Sequence, residues 1–224
     1  MTSPVKEMIA TLEEDRGYSH WQQAYHRDMV TCWTIVLRNA LEPQDEEWRQ
    51  REHEYLALVE KYGATTIRVW SEVMGKLLLH AKTERRDYLG EITMGLGMGA
   101  KDRGQFFTPY SMSLLAAQMA FDKPSVLKAI ETKGYVSINE PSCGSGGMIV
   151  AYAQTMLSAG LNIEDMRVVA QDIDRHCVNM TYVQMWIYDI PAVVIRGDTL
   201  KAEEHEVLIT PAYMHQENQL QQRV

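Results

Sequence analysis

Four short apolar runs constrain this chain more than any other feature: "YVSIN" at 135 to 139, "MRVVAQ" at 166 to 171, "AVVIR" at 192 to 196 and "EVLIT" at 206 to 210. They are rich in β-branched residues and too short for helices, so they read as strands. Between the first and second, Met148, Ala151, Tyr152, Thr155 and Met156 recur at helical spacing, and Val178, Tyr182 and Met185 do so between the second and third. Strand and helix alternating at this length predict right-handed crossovers, a parallel sheet of an α/β fold, and a ligand site at the carboxyl ends of the strands.

The preceding ninety residues have a different texture. Trp33, Val36, Leu37, Ala40 and Leu41 follow helical spacing, as do Ile67, Trp70, Met74, Leu77, Leu78 and Ala81. Ser19, with Gln22 three residues on, reads as a helix N-cap, and Pro43 and Gly63 read as breaks. Four helices are expected, with these apolar positions as bundle core. In "GEITMGLGMGAKDRGQFFTP", residues 90 to 109, five glycines argue against a regular element and for a joint or binding loop. Gly95, Gly97 and Gly99 follow no strand, so they do not read as a dinucleotide loop. The expected division is a helical domain over 1–90, a glycine-rich joint over 91–109, the α/β domain over 110–213 and a polar tail over 214–224.

With 46% hydrophobic and 23% charged residues, the composition is that of a globular chain, and no apolar run approaches the length of a membrane-spanning helix. No secretory leader is legible at the N-terminus, so cytoplasm is the expected location and no membrane contact is expected. Cys32, Cys143 and Cys177 have no metal-ligand spacing; reduced, mostly buried thiols and no metal site are expected. A net charge of -8 argues against indiscriminate phosphate binding by the whole surface, so any nucleic-acid contact must be local or shared with a partner.

"EPSCGSGG", residues 140 to 147, occupies the turn between the first strand and its helix. A tight turn needs one glycine; Gly144, Gly146 and Gly147 together read as a loop that brings backbone close to a ligand, next to the unpaired N–H groups of a helix start. Glu140 would repel a pyrophosphate and attract an ammonium group, which favours an aminoacyl nucleoside over NAD. At the second strand's end, Asp172 is placed to accept from both ribose hydroxyls. Asp174 reads as the cap of the next helix, and Asp198 after the third strand is placed to accept from an exocyclic adenine amine. Each acidic residue alone has an ordinary reading as a cap or solvated turn; three on successive strand ends point to a nucleoside.

On these residues, 104 to 213 resemble the S-adenosylmethionine domain of amino-type DNA methyltransferases, most like the adenine-N6 modification subunits of type I restriction systems. "GQFFTP" looks like the family's leading motif, and the resemblance implies that Phe106, Phe107, Thr108 and Pro109 pack over the methionine end of S-adenosylmethionine. "EPSCGSGG" resembles the cofactor loop, implying contacts from Glu140, Pro141, Cys143, Gly144, Ser145, Gly146 and Gly147. "AQDID" resembles the ribose motif, with Ile173 beside Asp172 stacking on the adenine, and "GDTL" resembles the adenine motif at Asp198. The implied architecture is a truncated Rossmann-like methyltransferase sheet preceded by an all-α domain.

The family's fourth strand ends in N-P-P-F/Y, whose carboxamide holds the target amine and whose ring stacks on a flipped base. Here "TPAY" stands in register, giving Thr210, Pro211 and Tyr213 as the degenerate catalytic set. Threonine lacks the donor and acceptor pair of a carboxamide. Three readings follow: a minimal or partner-dependent adenine-N6 DNA methyltransferase, a noncatalytic relative acting as a cofactor-binding interaction module, and, less consistent with "GQFFTP", small-molecule methyl transfer. DNA is expected to be met through or with a specificity partner, and the strand at 206 to 213 is expected to form a homodimeric or heteromeric edge.

Overall fold

The computed structural model describes residues 3–97 and 107–222, with the side chains of 16–23 left aside. Two compact units emerge. The first runs to Glu84 and resumes at Glu91; the second takes Arg85–Gly90 and resumes at Phe107.

The first unit is built of α1 (Pro4–Glu13), α2 (Arg16–Asn39) and α3 (Glu46–Ala81). Val5, Met8 and Leu12 line one stripe of α1, and α1 packs on α3, which in turn packs on α2. Ser19 lies inside α2, not at its start; Asp15 holds the N-cap position. The buried face of α2 includes Met29, Val30, Trp33 and Ile35, whereas Val36 and Leu41 are exposed, so the apolar stripe is rotated from the one the spacing suggested. In α3 the buried positions are Arg51, Leu58, Thr66, Trp70, Val73, Leu77 and Ala81. Asp45 caps α3 by accepting from Trp48 N at 2.9 Å, and Gly63, with φ of 77°, kinks it where a break was expected. Tyr25 meets Trp70 edge-on at 5.4 Å between ring centroids and donates to Asp15 Oδ2 at 2.7 Å.

The glycine-rich segment is not irregular at its start. Tyr88–Gly95 forms α4, with Tyr88, Leu89 and Ile92 buried. Gly90 and Gly95 act there as close-packing positions: a Cβ on Gly95 would run into Ile9, and one on Gly90 into Asp87. The boundary expected at residue 90 falls inside this helix, whose first turn belongs to the second unit. Gly99, Gly104 and Phe106 lie outside the described residues.

The second unit comprises α5 (Tyr110–Ala120), α6 (Lys123–Lys133), β1 (Val136–Glu140), α7 (Gly147–Ser158), β2 (Met166–Asp172), α8 (Arg175–Ile187), β3 (Ala192–Arg196), β4 (Glu206–Ile209) and α9 (Pro211–Gln221). The sheet order is β1-β2-β3-β4. Val136 pairs with Met166 and Val168 with Ala192, both in parallel ladders. The two crossovers step the same way, an arrangement that carries both helices to one face when each has the usual right hand; α8 packs on β2 and β3, and Val168, Ala170 and Val194 are fully buried. On the opposite face Val169 and Val207 are 39% and 42% exposed.

The expectation of an all-parallel sheet fails at β4, which runs antiparallel to β3 with Arg196 opposite Glu206 and Val193 opposite Ile209. The reason lies in the connection: residues 197 to 205 are too few for a helical crossover, which takes about a dozen or more, so the chain reverses beside β3. His205 N donates to Arg196 O at 2.8 Å, closing the turn, and Arg196 and Glu206 pair at 3.5 Å. The segment expected as a polar tail is largely helical. Gln216 Nε2 donates to Glu164 O at 2.8 Å and Met166 O at 2.9 Å, and Arg167 pairs with Glu217, so α9 docks across the start of β2. No described helix is long and apolar enough to cross a membrane.

Candidate cofactor site

At the carboxyl ends of β1, β2 and β3 the chain builds one connected loop system. Cys143 N donates to Gln171 O at 2.9 Å, and Gly144 N donates to Asp172 Oδ2 at 3.0 Å. Asp172 Oδ1 accepts from Asp174 N at 3.0 Å, and Asp172 O accepts from Gly197 N at 2.9 Å. Asp172 therefore ties the β1 loop, its own strand end and the start of the β3 loop together. Each carboxylate oxygen holds one backbone N–H, and a carboxylate has about four lone-pair positions, so acceptor capacity remains for two hydroxyls. Asp174 caps α8 through His176 N at 2.9 Å, as its position after the strand suggested.

Gly144 (φ 55°) and Gly146 (φ 89°) are both left-handed, which explains two of the three loop glycines. The N–H groups of Ser142, Cys143, Gly144 and Gly146 are spent inside the protein, on Glu140 Oε1, Gln171 O, Asp172 and Cys143 O. Donors for a ligand therefore come from Ser145 N and the first turn of α7. From beneath, Thr181 Oγ1 donates to Gly144 O at 3.0 Å and meets Cys143 Sγ at 3.3 Å. Cys143 is buried against Thr181, and that burial pushes its thiol up to about 12.

Glu140 is half-buried at the strand end. Burial, and then the Asp172 carboxylate beside it, hold its carboxyl above the ordinary range. Neither carboxylate has an ion-pair partner among the described residues, so the site carries uncompensated negative charge suited to a cation. Ile173 projects beside them at 65% exposure. The Phe107 ring lies over the loop, its edge 3.3 Å from where a Cβ on Gly144 would sit; Thr108 and Pro109 are exposed, with Pro109 at the N-cap of α5. Pro141 O accepts from Thr199 Oγ1 at 2.7 Å, which holds the β3 loop against the β1 loop. The Asp198 carboxylate serves its own turn, accepting from Leu200 N at 3.0 Å and meeting Lys201 at 3.2 Å; that lysine, with the backbone N–H of Leu200, lowers its pKa.

Thr210, Pro211 and Tyr213 are not in this neighbourhood. Because β4 is reversed, its carboxyl end lies at the amino ends of the parallel strands. Thr210 is fully buried there: Oγ1 accepts from Ala192 N at 2.9 Å and donates to Ile190 O at 2.9 Å, while Thr210 N donates to Ala192 O at 3.0 Å. Pro211 opens α9, and the Tyr213 hydroxyl accepts from Arg167 at 2.8 Å at the start of β2. The "TPAY" segment, read from the sequence as the degenerate catalytic set, thus caps α9 and fastens the strand ends opposite the loop system.

Parallel strands joined through helices, with a glycine-rich turn entering a helix and an acidic strand end beside it, define the class as an α/β domain whose loops gather at the carboxyl ends of its strands. Within that class the chain belongs to the N-6 DNA methylase family, whose model matches residues 92–220, more than half of the chain. The methylase subunit of the type I restriction enzyme MjaIX of Methanocaldococcus jannaschii is 27% identical over 139 residues, which is 60% of this chain and 21% of that subunit. The chain thus spans about a fifth of that relative's length. Among solved structures, one assigned to the class I S-adenosylmethionine-dependent methyltransferases of Listeria monocytogenes aligns with 88% of this chain and 54% of its own, at 18% identity and a TM-score of 0.44. The methyltransferase subunit of a type I restriction-modification system from Streptococcus thermophilus aligns with 89% of this chain and 58% of its own, at 13% identity and a TM-score of 0.46.

Replacing Asp172 by alanine removes both the expected ribose acceptors and the anchor of Gly144 N. The expected result is a loss of up to about 3 kcal/mol in S-adenosylmethionine binding, the range of a charge-assisted hydrogen bond. Asp172→Asn, which keeps one acceptor oxygen, should lose less. Unchanged affinity in calorimetric titration of both variants would remove Asp172 from the site.

Proposed function

We propose that this chain binds S-adenosylmethionine at the β1–α7 loop and serves as the cofactor-holding part of an adenine-N6 DNA methyltransferase of restriction-modification type. The observation that carries the reading is the pair of carboxylates, Glu140 and Asp172, without an ion-pair partner among the described residues, beside a left-handed glycine turn. A cationic, amino-acid-bearing nucleoside fits that set where a dinucleotide does not. In this reading Glu140 faces the ammonium group, the first turn of α7 faces the carboxylate, Asp172 accepts from the ribose hydroxyls, and Ile173 lies against the adenine. Phe107, with Thr108 and Pro109, covers the methionine end, and Asp198 receives the adenine amine when Lys201 releases it. Bound S-adenosylmethionine supplies an electrophilic methyl group; the chain's own part is to bind and orient it, because positioning accounts for much of the acceleration in such transfers.

The target amine must be held by groups other than Thr210, Pro211 and Tyr213, which support the opposite end of the sheet. The reading therefore includes a partner that brings base recognition and target positioning, and DNA is reached with it. The β4 edge, residues 206 to 213, together with the half-exposed Val169 and Val207, is the place proposed for a homodimeric or heteromeric contact. A cytoplasmic location accompanies this reading.

The test is transfer of radiolabelled methyl from S-adenosylmethionine to adenine-containing DNA, with the chain alone and with candidate specificity and methylase subunits. The expected outcome is cofactor binding by the chain alone and transfer only in the partnered mixture. Transfer by the chain alone would contradict the placement of target handling outside it.

A further inference from the structure

Asp87 lies 58 residues before Ser145 in sequence, outside every motif that marks the cofactor site, yet it is buried against the loop. Its Oδ2 accepts from Ser145 Oγ at 2.5 Å, and its Oδ1 accepts from Gln184 Nε2 at 2.8 Å and Gly90 N at 2.9 Å. Gln184 Nε2 also donates to Ser145 O at 2.5 Å, so one amide on α8 and one carboxylate before α4 grip the same loop residue from two sides. Two glycines make the space. A Cβ on Gly147 would sit 2.7 Å from Asp87 Oδ2, and one on Gly90 would strike the carboxylate and sit 2.6 Å from Ser145 Oγ. Burial pushes the Asp87 carboxyl up while the three donors pull it down; all three suit an acceptor.

A fully buried carboxylate is costly, and a loop that only had to turn would be served by an apolar contact. What this arrangement adds is a fixed position for Ser145 and Gly147, the last turn residue but one and the first residue of α7. The opposite half of the loop, Gly144, is fixed separately by Asp172. We propose that Asp87 is a positioning residue that sets the α7 end of the loop for the amino-acid end of S-adenosylmethionine, leaving the nucleoside end to the Asp172 side. This rests on the cofactor reading above and goes beyond it by dividing the loop into two independently anchored halves.

The division is tested with two ligands that share a nucleoside, S-adenosylmethionine and 5′-methylthioadenosine, which lacks the amino-acid end. In calorimetric titration of the full chain, Asp87→Ala should weaken S-adenosylmethionine binding by about tenfold or more, the effect of one lost buried charge-assisted contact, and change methylthioadenosine binding by less than about twofold. Ser145→Ala, which keeps the carboxylate and cuts only its link to the loop, should show the same selectivity and guards against misfolding of the first variant. Asp87→Asn, which can accept from Gly90 N and donate to Ser145 Oγ, should recover part of the affinity. Equal losses for both ligands, or no loss for either in Ser145→Ala, would overturn the assignment while leaving the cofactor reading intact. A wild-type chain that binds neither ligand would overturn the reading and the assignment together.

Discussion

Gly146→Val is expected to abolish S-adenosylmethionine binding while leaving the helical circular dichroism of the first unit in place. Gly146 stands at φ of 89°, a conformation that costs a β-branched residue roughly 1–3 kcal/mol or more in strain. A Cβ there would also lie 3.2 Å from Met185 Cε and Thr181 Oγ1 and 3.4 Å from the Thr181 backbone. The methionine tip can give way, but Thr181 cannot without releasing Gly144 O, which its hydroxyl holds. The turn therefore shifts toward the ligand, and the shift falls on the residue that precedes α7. Gly146→Ala should be milder, keeping the φ penalty with less bulk. Retained affinity in the valine variant would make the turn a structural feature only.

Thr210→Val is the second large effect, and its sign separates a structural residue from a catalytic one. The exchange keeps shape but removes a hydroxyl that accepts from Ala192 N at the start of β3 and donates to Ile190 O just before it, both fully buried. A buried polar group left unpaired costs about 1–3 kcal/mol, so a fall of roughly that size in unfolding free energy is expected by denaturant titration. S-adenosylmethionine affinity of the folded variant should stay within about twofold of the parent, since Thr210 lies at the other end of the sheet. A variant of unchanged stability and reduced affinity would place Thr210 at the cofactor after all.

The strands were legible because β-branched runs bounded by polar turns have few other readings, and the observed bounds of β1 to β4 differ from the expected ones by a residue at most. The loop was legible for a related reason: three glycines in four positions exceed what a turn needs, and two of the three do take left-handed backbone. The direction of β4 was available too, in the shortness of residues 197 to 205, but apolar periodicity says nothing of direction. It decided the placement of Thr210, Pro211 and Tyr213, whose register with a familiar motif held in sequence and not in space. Helix α4 was hidden because Gly90 and Gly95 look like flexibility when counted along the chain. In space both are sites of close packing, one against Asp87 and one against Ile9. Asp87 itself left no local signal; its partners, Ser145 and Gln184, are 58 and 97 residues away.

Calorimetric titration of S-adenosylmethionine into the 224-residue chain tests the central claim most directly. The account predicts one saturable site per chain, competed by S-adenosylhomocysteine, weakened in Asp172→Ala and absent in Gly146→Val. Heats of dilution alone from the wild-type chain, or a site that survives Gly146→Val, would contradict it.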